Sequence, residues 1–219
     1  MTCCCPHSRS ASKFFSLFAR LYRRRFEKRG FEPSQKQLLQ GLDNIGYQGA
    51  TLMEIGCGVG HLHQSLLERG ARSAVGIDLS PAMLKEARNW AIERGLKERT
   101  RYIEGDFMEL ADTLERADVM LLDKVVCCYP DADGLVHASL AKTRRVFALI
   151  YPRDRWYVRM GVAVGSLFMW LIRSDFRPYV HDPTQIGNWI AAEGFEKVFE
   201  MTTLVWVSQI YVQRGDKAR

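Results

Sequence analysis

The sequence predicts an α/β fold in which a mostly parallel sheet is covered by helices on both faces. Three observations carry that expectation. Short aliphatic runs alternate with helical patterns between residues 51 and 151, and the run Leu52–Ile55 leads through a glycine-rich turn into a helix. Near the C-terminus, Val198–Glu200 and Leu204–Gln213 read as two strands joined by a short turn, which makes them antiparallel.

The 219 residues, 47% of them hydrophobic, suit one core with appendages better than two domains. Charge is unevenly placed. Residues 1–30 hold eight lysines and arginines against Glu27 alone, a net +7, while the whole chain carries +6. A basic arm on a near-neutral body follows. The six cysteines stand as Cys3-Cys4-Cys5, Cys57 and Cys127-Cys128, adjacent clusters unlike the spaced framework of a disulfide-stapled secreted domain. With no apolar signal-peptide run before the arginines, the expected location is cytoplasmic, with peripheral membrane contact as a further reading of the arm.

In chain order, residues 1–11 show no period and read as a mobile tail. From Ser12 to Arg29, Phe14, Phe18, Leu21, Tyr22 and Phe26 recur at helical spacing among cations, an amphipathic helix ended by Gly30. Ser34 with Gln37 has capping-box form and opens a second helix that closes at Gly46. Residues 1–46 are therefore expected to form a lid ahead of a domain at 47–219. Strands are expected at Thr51–Ile55, Ala74–Ile77, Arg101–Ile103, Val119–Leu122 and Val146–Tyr151, with helices at 61–69, 81–94 and 134–143. Gly70 and Gly95 suit helix C-caps, Ser80-Pro81 a helix start, and Asp182-Pro183 another start for a helix ending at Gly194. The insertion at 153–181 contains Trp156–Ile172, in which only Arg159 and Ser166 are plainly polar. It is too short to span a bilayer and is expected to form an apolar wall and lid for a hydrophobic ligand.

The stretch Glu54-Ile55-Gly56-Cys57-Gly58-Val59-Gly60-His61 carries the chemistry. Alternate glycines let the backbone turn sharply and approach a ligand without a β-carbon in the way. A dinucleotide fingerprint needs a small residue where His61 stands, so pyrophosphate binding is disfavoured. Asp78 ends the next strand, 22 residues after Gly56, where a carboxylate can accept from both hydroxyls of a ribose. Gly105-Asp106-Phe107 follows the third strand, an acid beside an aromatic suited to an adenine amine and ring face.

Gly56-x-Gly58-x-Gly60 behind Glu54 resembles motif I of the class I S-adenosylmethionine-dependent methyltransferases. Asp78-Leu79-Ser80-Pro81-x-Met83 resembles their second motif, and Gly105-Asp106-Phe107 their adenine-contacting motif. The resemblance covers about residues 48–152. It implies a Rossmann-like three-layer sandwich with seven strands, the last antiparallel, and a methyltransferase using S-adenosyl-L-methionine and releasing S-adenosyl-L-homocysteine. It implies that Gly56, Gly58 and Gly60 face the methionine part, Asp78 the ribose, Asp106 the adenine amine, and Leu79 and Phe107 the ring. Glu54, Cys57, Met83, Asp123 and Lys124 complete the expected cofactor set.

Acceptor residues are expected after the fourth and fifth strands, namely Cys128, Tyr129, Tyr151, Arg153 and Trp156. The loop lacks the Asp/Asn-Pro-Pro-aromatic sequence by which nucleic-acid enzymes grip a flipped base. A small, hydrophobic acceptor is expected instead, with a membrane- or RNA-docking protein that acts on RNA or protein as the alternative. Tyr129-Pro130 and Phe176-Arg177-x-x-Val180-His181 distantly resemble the magnesium-protoporphyrin O-methyltransferases. Cys128 stands where that family is expected to have histidine, which speaks against a porphyrin carboxylate. Tyr22 and His181 are the candidate catalytic groups, able to take a proton if lid closure brings them near. No metal is expected, because His61 and His63 stand two apart on one helix and diverge.

Overall fold

A computed structural model describes residues 6–215, with side chains described for 12, 15, 16 and 19–215. Cys3-Cys4-Cys5 and the side chains of Phe14 and Phe18 lie outside the described residues. The first helix, α1, runs Pro6–Arg29, so it begins within the stretch read as a tail, with Pro6 at its first position, where a missing N–H costs nothing. Gly30, at φ +65°, ends it and donates to the Phe26 carbonyl at 2.7 Å. The second helix, α2, spans Pro33–Ile45. Its capping box is Glu32 with Gln35, not Ser34 with Gln37, because Pro33 takes the first helical position and so puts the cap at Glu32, two residues earlier.

The strands are β1 (Thr51–Ile55), β2 (Ser73–Asp78), β3 (Thr100–Glu104), β4 (Ala117–Asp123), β5 (Thr143–Pro152), β6 (Phe195–Thr202) and β7 (Trp206–Gln213). Between them lie α3 (His61–Glu68), α4 (Pro81–Glu93), α5 (Phe107–Leu110), α6 (Ala132–Ala141), α7 (Trp156–Leu171) and α8 (Pro183–Ala192). Every expected strand is present, most of them a residue or more longer than the apolar pattern. Ser80 caps α4 by accepting from Met83 N at 3.2 Å, and Asp182 caps α8 by accepting from Thr184 N at 2.8 Å.

One seven-stranded sheet has the order β3-β2-β1-β4-β5-β7-β6, with β7 antiparallel to both neighbours. This is the Rossmann-like three-layer arrangement. Strand alternation divides the core. Met53, Met120, Leu122, Phe147 and Leu149 pack with Leu135 and Val136 of α6 and Ile186 and Ile190 of α8. Their neighbours Leu52, Val119, Leu121, Ala148 and Ile150 pack on the other face with Leu38 and Leu42 of α2 and Leu62 and Leu66 of α3. The order reverses between β1 and β4, which opens a crevice at their carboxyl ends.

Candidate functional site

That crevice is built first by the glycine turn. Gly56, Gly58 and Gly60 have φ of +63°, +53° and +78°, the left-handed region that other residues enter at a cost. A β-carbon on Gly56 would lie 2.5 Å from Val125 Cγ2, whereas one on Gly58 would meet nothing within 4 Å. Gly56 is thus set by packing, and Gly58 opens on space. The turn is held by Asp78 at the end of β2, which accepts from Gly58 N at 2.7 Å and from Ser80 N at 2.8 Å. Burial raises the Asp78 carboxyl to about 6, and the two backbone N–H groups limit the rise.

Beneath the turn, Glu54 is buried against His63, whose Nδ1 lies 2.5 Å from Glu54 Oε2 and whose backbone N–H also donates to it at 3.3 Å. Burial raises the Glu54 carboxyl above its ordinary range, and His63 opposes the rise. With its proton on Nδ1, the imidazole accepts from the Tyr102 hydroxyl at 3.0 Å, which itself accepts from Gln64 Nε2 at 2.8 Å. Glu54 is therefore tied to the helix that follows the glycine turn. On the far side, Asp106 caps α5 by accepting from Met108 N at 3.1 Å and receives the Tyr129 hydroxyl at 2.6 Å.

The other end is polar. Lys124 stands at φ +60° after β4, and its ammonium donates to Glu32 at 2.7 Å, lies 3.8 Å from Asp123 Oδ1 and sits 5.3 Å over the Trp206 ring. Burial alone would lower Lys124, but Asp123 and Glu32 outweigh it and raise the amine above its usual value. Gln35 Nε2 donates to Asp123 Oδ2 at 2.5 Å and lies 3.1 Å from His61 Nε2. Burial lowers His61 to about 3, so its ring is neutral at physiological pH. Asp123 Oδ1 and His61 Nδ1 are buried without a hydrogen-bond partner.

Helix α1 crosses the top. Ser12 donates to the Leu79 carbonyl at 2.8 Å, Ser16 and Ser80 share a 2.8 Å hydroxyl contact, and Arg23 reaches Glu86 at 3.4 Å and Glu93 at 2.5 Å. Phe26 stacks on His61 with ring centroids 4.5 Å apart and meets Trp90 edge-on at 5.1 Å. The result is one cavity of about 450 Å³, lined by the glycine turn, Asp78, Asp106, Asp123 and Lys124, with Phe15, Tyr22 and Phe26 of α1 among its walls.

Residues 52–148 match the family described as a methyltransferase domain. The ribosomal protein L11 methyltransferase of Klebsiella pneumoniae (strain 342) is 34% identical over 97 residues, which are 44% of this chain and 30% of that protein. The chain thus covers less than a third of that relative. Magnesium protoporphyrin IX methyltransferase from Synechocystis PCC 6803, solved with bound S-adenosylmethionine, superposes with a TM-score of 0.72 at 18% identity, covering 97% of this chain and 100% of that one. An O-methyltransferase family 2 protein from Planctomyces limnophilus, in complex with apigenin, gives 0.67 at 17% identity over 93% and 61%. At such identities the superpositions speak for the fold. Residues 52–148 thus resemble a methyltransferase domain, set in a Rossmann-like fold.

Against that domain, the expected residues divide. Glu54, Gly56, Cys57, Gly58, Asp78, Leu79, Met83, Asp106, Phe107, Asp123, Lys124, Cys128, Tyr129 and Tyr22 all line the cavity. Gly60 stands behind it, where a β-carbon would press on Gln64 and His63. Four residues are elsewhere. Tyr151 is buried in the core, its hydroxyl on Gln209 at 2.9 Å, because alternation along β5 turns it to the α6 and α8 face. Arg153 is turned toward the loop between β6 and β7, donating to the Thr203 carbonyl at 2.8 Å. Trp156 opens α7 at 74% exposure. His181 stacks on Tyr179 and donates to the Tyr129 carbonyl at 3.0 Å, outside the cavity wall.

The insertion is also corrected. α7 lends no side chain to the cavity wall and reaches it only through Met169, which packs with Phe176 against Phe15, Leu79 and Cys128. Arg25, Phe26, Glu32, Gln35 and His61 line the cavity although the sequence did not single them out as site residues. The Glu32-x-x-Gln35 pattern was the available signal for two of them. Among the described residues, no cluster of three metal-ligating side chains occurs and no helix is long and apolar enough to cross a membrane.

Proposed function

We propose that the chain transfers a methyl group from S-adenosylmethionine to a small hydrophobic acceptor. The observation that carries the cofactor half is the meeting in one cavity of an open Gly58, the Asp78 carboxylate that holds its turn, and the buried Asp123 Oδ1 at the polar end. Asp78 has lone pairs left for two ribose hydroxyls after accepting from Gly58 and Ser80. Asp123 Oδ1, buried with no hydrogen bond and the Lys124 ammonium still 3.8 Å away, has room for a ligand N–H donor such as an ammonium, since buried polar atoms are nearly always paired. Asp106 and Phe107 suit the amine and face of an adenine, and about 450 Å³ lies within the range of small-molecule sites.

When bound, the cofactor supplies a methyl group on a cationic sulfur, a leaving group that needs no acid. This chain's residues then have to hold the acceptor's lone pair in line and keep water out, which is worth up to about 7–11 kcal/mol in favourable cases. Phe15, Val125, Cys128 and Tyr129 offer an apolar wall for that purpose. Burial raises the Tyr22 hydroxyl above its usual range, with Lys124 opposing, so Tyr22 keeps its proton and serves as a donor that orients the acceptor. That replaces the role of proton acceptor expected for it. His181 acts through the Tyr129 loop as a positioning residue.

The similar proteins include a ribosomal protein L11 methyltransferase and a magnesium protoporphyrin IX methyltransferase, so both protein and small-molecule acceptors are represented among them. The engagement of Arg23 by Glu27, Glu86 and Glu93, and of Arg25 by Glu32, favours the small molecule, because it removes two of three consecutive arginines from a nucleic-acid surface. The test is calorimetric titration with S-adenosylmethionine and S-adenosylhomocysteine, followed by a screen of phenols, quinols, heterocycles and fatty acids with labelled cofactor. Heat with nicotinamide dinucleotides alone would remove the cofactor reading. Label found only on protein or RNA would remove the acceptor reading.

A further inference from the structure

α7 turns its apolar face outward. Trp156, Met160, Val164, Leu167, Phe168 and Leu171 recur at helical spacing and are 56–74% exposed. Its back, through Val158 and Met169, is buried on the body of the protein. Residues 160–172 contain no charged side chain, and an exposed arginine closes each end, Arg155 before the helix and Arg173 after it. Arg159 on the same helix is already neutralised by Asp154 at 2.5 and 2.8 Å. So large a contiguous apolar surface marks an interaction site.

Three occupants differ in charge and geometry. At 16 residues α7 is about 24 Å long, short of the roughly 30 Å hydrocarbon core, and its packed back prevents it from spanning. A second copy seated face to face on α7 would bring Arg155 and Arg173 against the same cations of its mate, in either direction of packing. An anionic surface accepts both ends at once. The basic helix α1, from a segment of net +7, is fixed to the same corner by Phe15 edge-on to Phe176 at 5.6 Å.

We propose that α7 docks the chain on an anionic lipid bilayer, lying in its plane with the apolar face among the acyl chains and Arg155 and Arg173 at the level of the phosphates. This docking is independent of methyl transfer, and its measurement needs no cofactor.

The full chain is sedimented with vesicles of phosphatidylcholine alone or with added phosphatidylglycerol, at two salt concentrations. The wild type binds the anionic vesicles, and more weakly in high salt. Leu167→Asp combined with Phe168→Asp lowers the partition coefficient by at least about tenfold, with circular dichroism unchanged because both positions face solvent. Arg155→Glu with Arg173→Glu reduces binding to the level seen on phosphatidylcholine. Trp170, exposed on the same helix, loses fluorescence to brominated acyl chains in the wild type, and the loss shrinks in W170F. Wild type that stays in the supernatant overturns the proposal, as does a double-aspartate variant bound as well as the parent. A lipid-free dimer that Leu167→Asp converts to monomer overturns it too, in favour of a second copy.

Discussion

Asp78 Oδ2 accepts a 2.7 Å hydrogen bond from the backbone N–H of Gly58, so the acid that ends β2 also sets the glycine turn that ends β1. The same carboxylate faces the cavity, and its environment has moved it to about 6. Turn geometry and ligand affinity are therefore coupled through one titrating group.

The first prediction concerns pH. The folded value of Asp78 lies above that of an unfolded aspartate, near 3.9, so its ionisation costs stability: the cost is absent below about pH 4 and complete above about pH 6. Ribose hydroxyls donate to the ionised form. Cofactor affinity should hold steady above about pH 7 and fall toward tenfold per unit below about pH 6. His61, at about 3, does not titrate in this window. Calorimetry from about pH 5 to 8 checks this, and Asp78→Asn should give weak binding with a shallower pH dependence, the remainder belonging to Asp123, whose carboxyl burial also raises; a wild-type profile flat across the range would reject the assignment.

The two glycines should separate fold from ligand. Alanine at either Gly56 or Gly58 forces a side chain into the left-handed region, at about 1–2 kcal/mol. At Gly56 the new methyl also meets Val125 Cγ2 at 2.5 Å, adding overpacking of about 1–3 kcal/mol. At Gly58 it enters open space on the cavity side. Denaturant melts should therefore show Gly56→Ala as the less stable variant, while Gly58→Ala loses cofactor affinity with the smaller fall in stability.

How far such a site can be read from sequence depends on how local its signals are. The bounds of β1 and the glycine turn with Asp78 were legible because each is written in a few consecutive residues. Tyr151 and Arg153 were not, since the direction of a strand end depends on its register with β7, where Tyr151 pairs with Val207. Glu32 meets Lys124 across 92 residues, through the elbow between α1 and α2, and no local period connects them. Ser34 drew the capping reading as the better cap-forming residue, although Pro33 already marked the first helical position. For α7, an apolar pattern that runs round most of the helix does not say which face is buried, so the segment read as a cavity wall instead faces solvent.

A third prediction distinguishes orientation from support. Tyr22 holds its proton and lines the cavity, whereas His181 reaches the site only through the Tyr129 carbonyl. With an acceptor in hand, Tyr22→Phe should lower kcat/KM for acceptor by about tenfold to a hundredfold while cofactor affinity stays constant, the cost of one hydrogen bond of about 1.5–3 kcal/mol. His181→Ala should shift KM more than kcat. A loss of kcat in His181→Ala larger than that in Tyr22→Phe would return the catalytic role to the histidine.

The fourth prediction treats α1 as a cover. Phe26 stacks on His61 and abuts Trp90 and Phe31, while the helix is anchored separately by Ser12, Ser16 and the Arg23 ion pairs with Glu86 and Glu93. Removing the ring at a half-buried position should cost about 1–2 kcal/mol and leave those anchors in place. If closure of α1 retains the ligand, that loss belongs to the closed state, and release of S-adenosylhomocysteine should accelerate by about 5–30-fold. Stopped-flow displacement measures it directly. Arg23→Gln should act in the same direction, more weakly, because it removes only ion pairs that solvent still reaches in part, a loss of about 1 kcal/mol. Release rates unaltered in both variants would show that α1 is packed on the domain without gating the cavity.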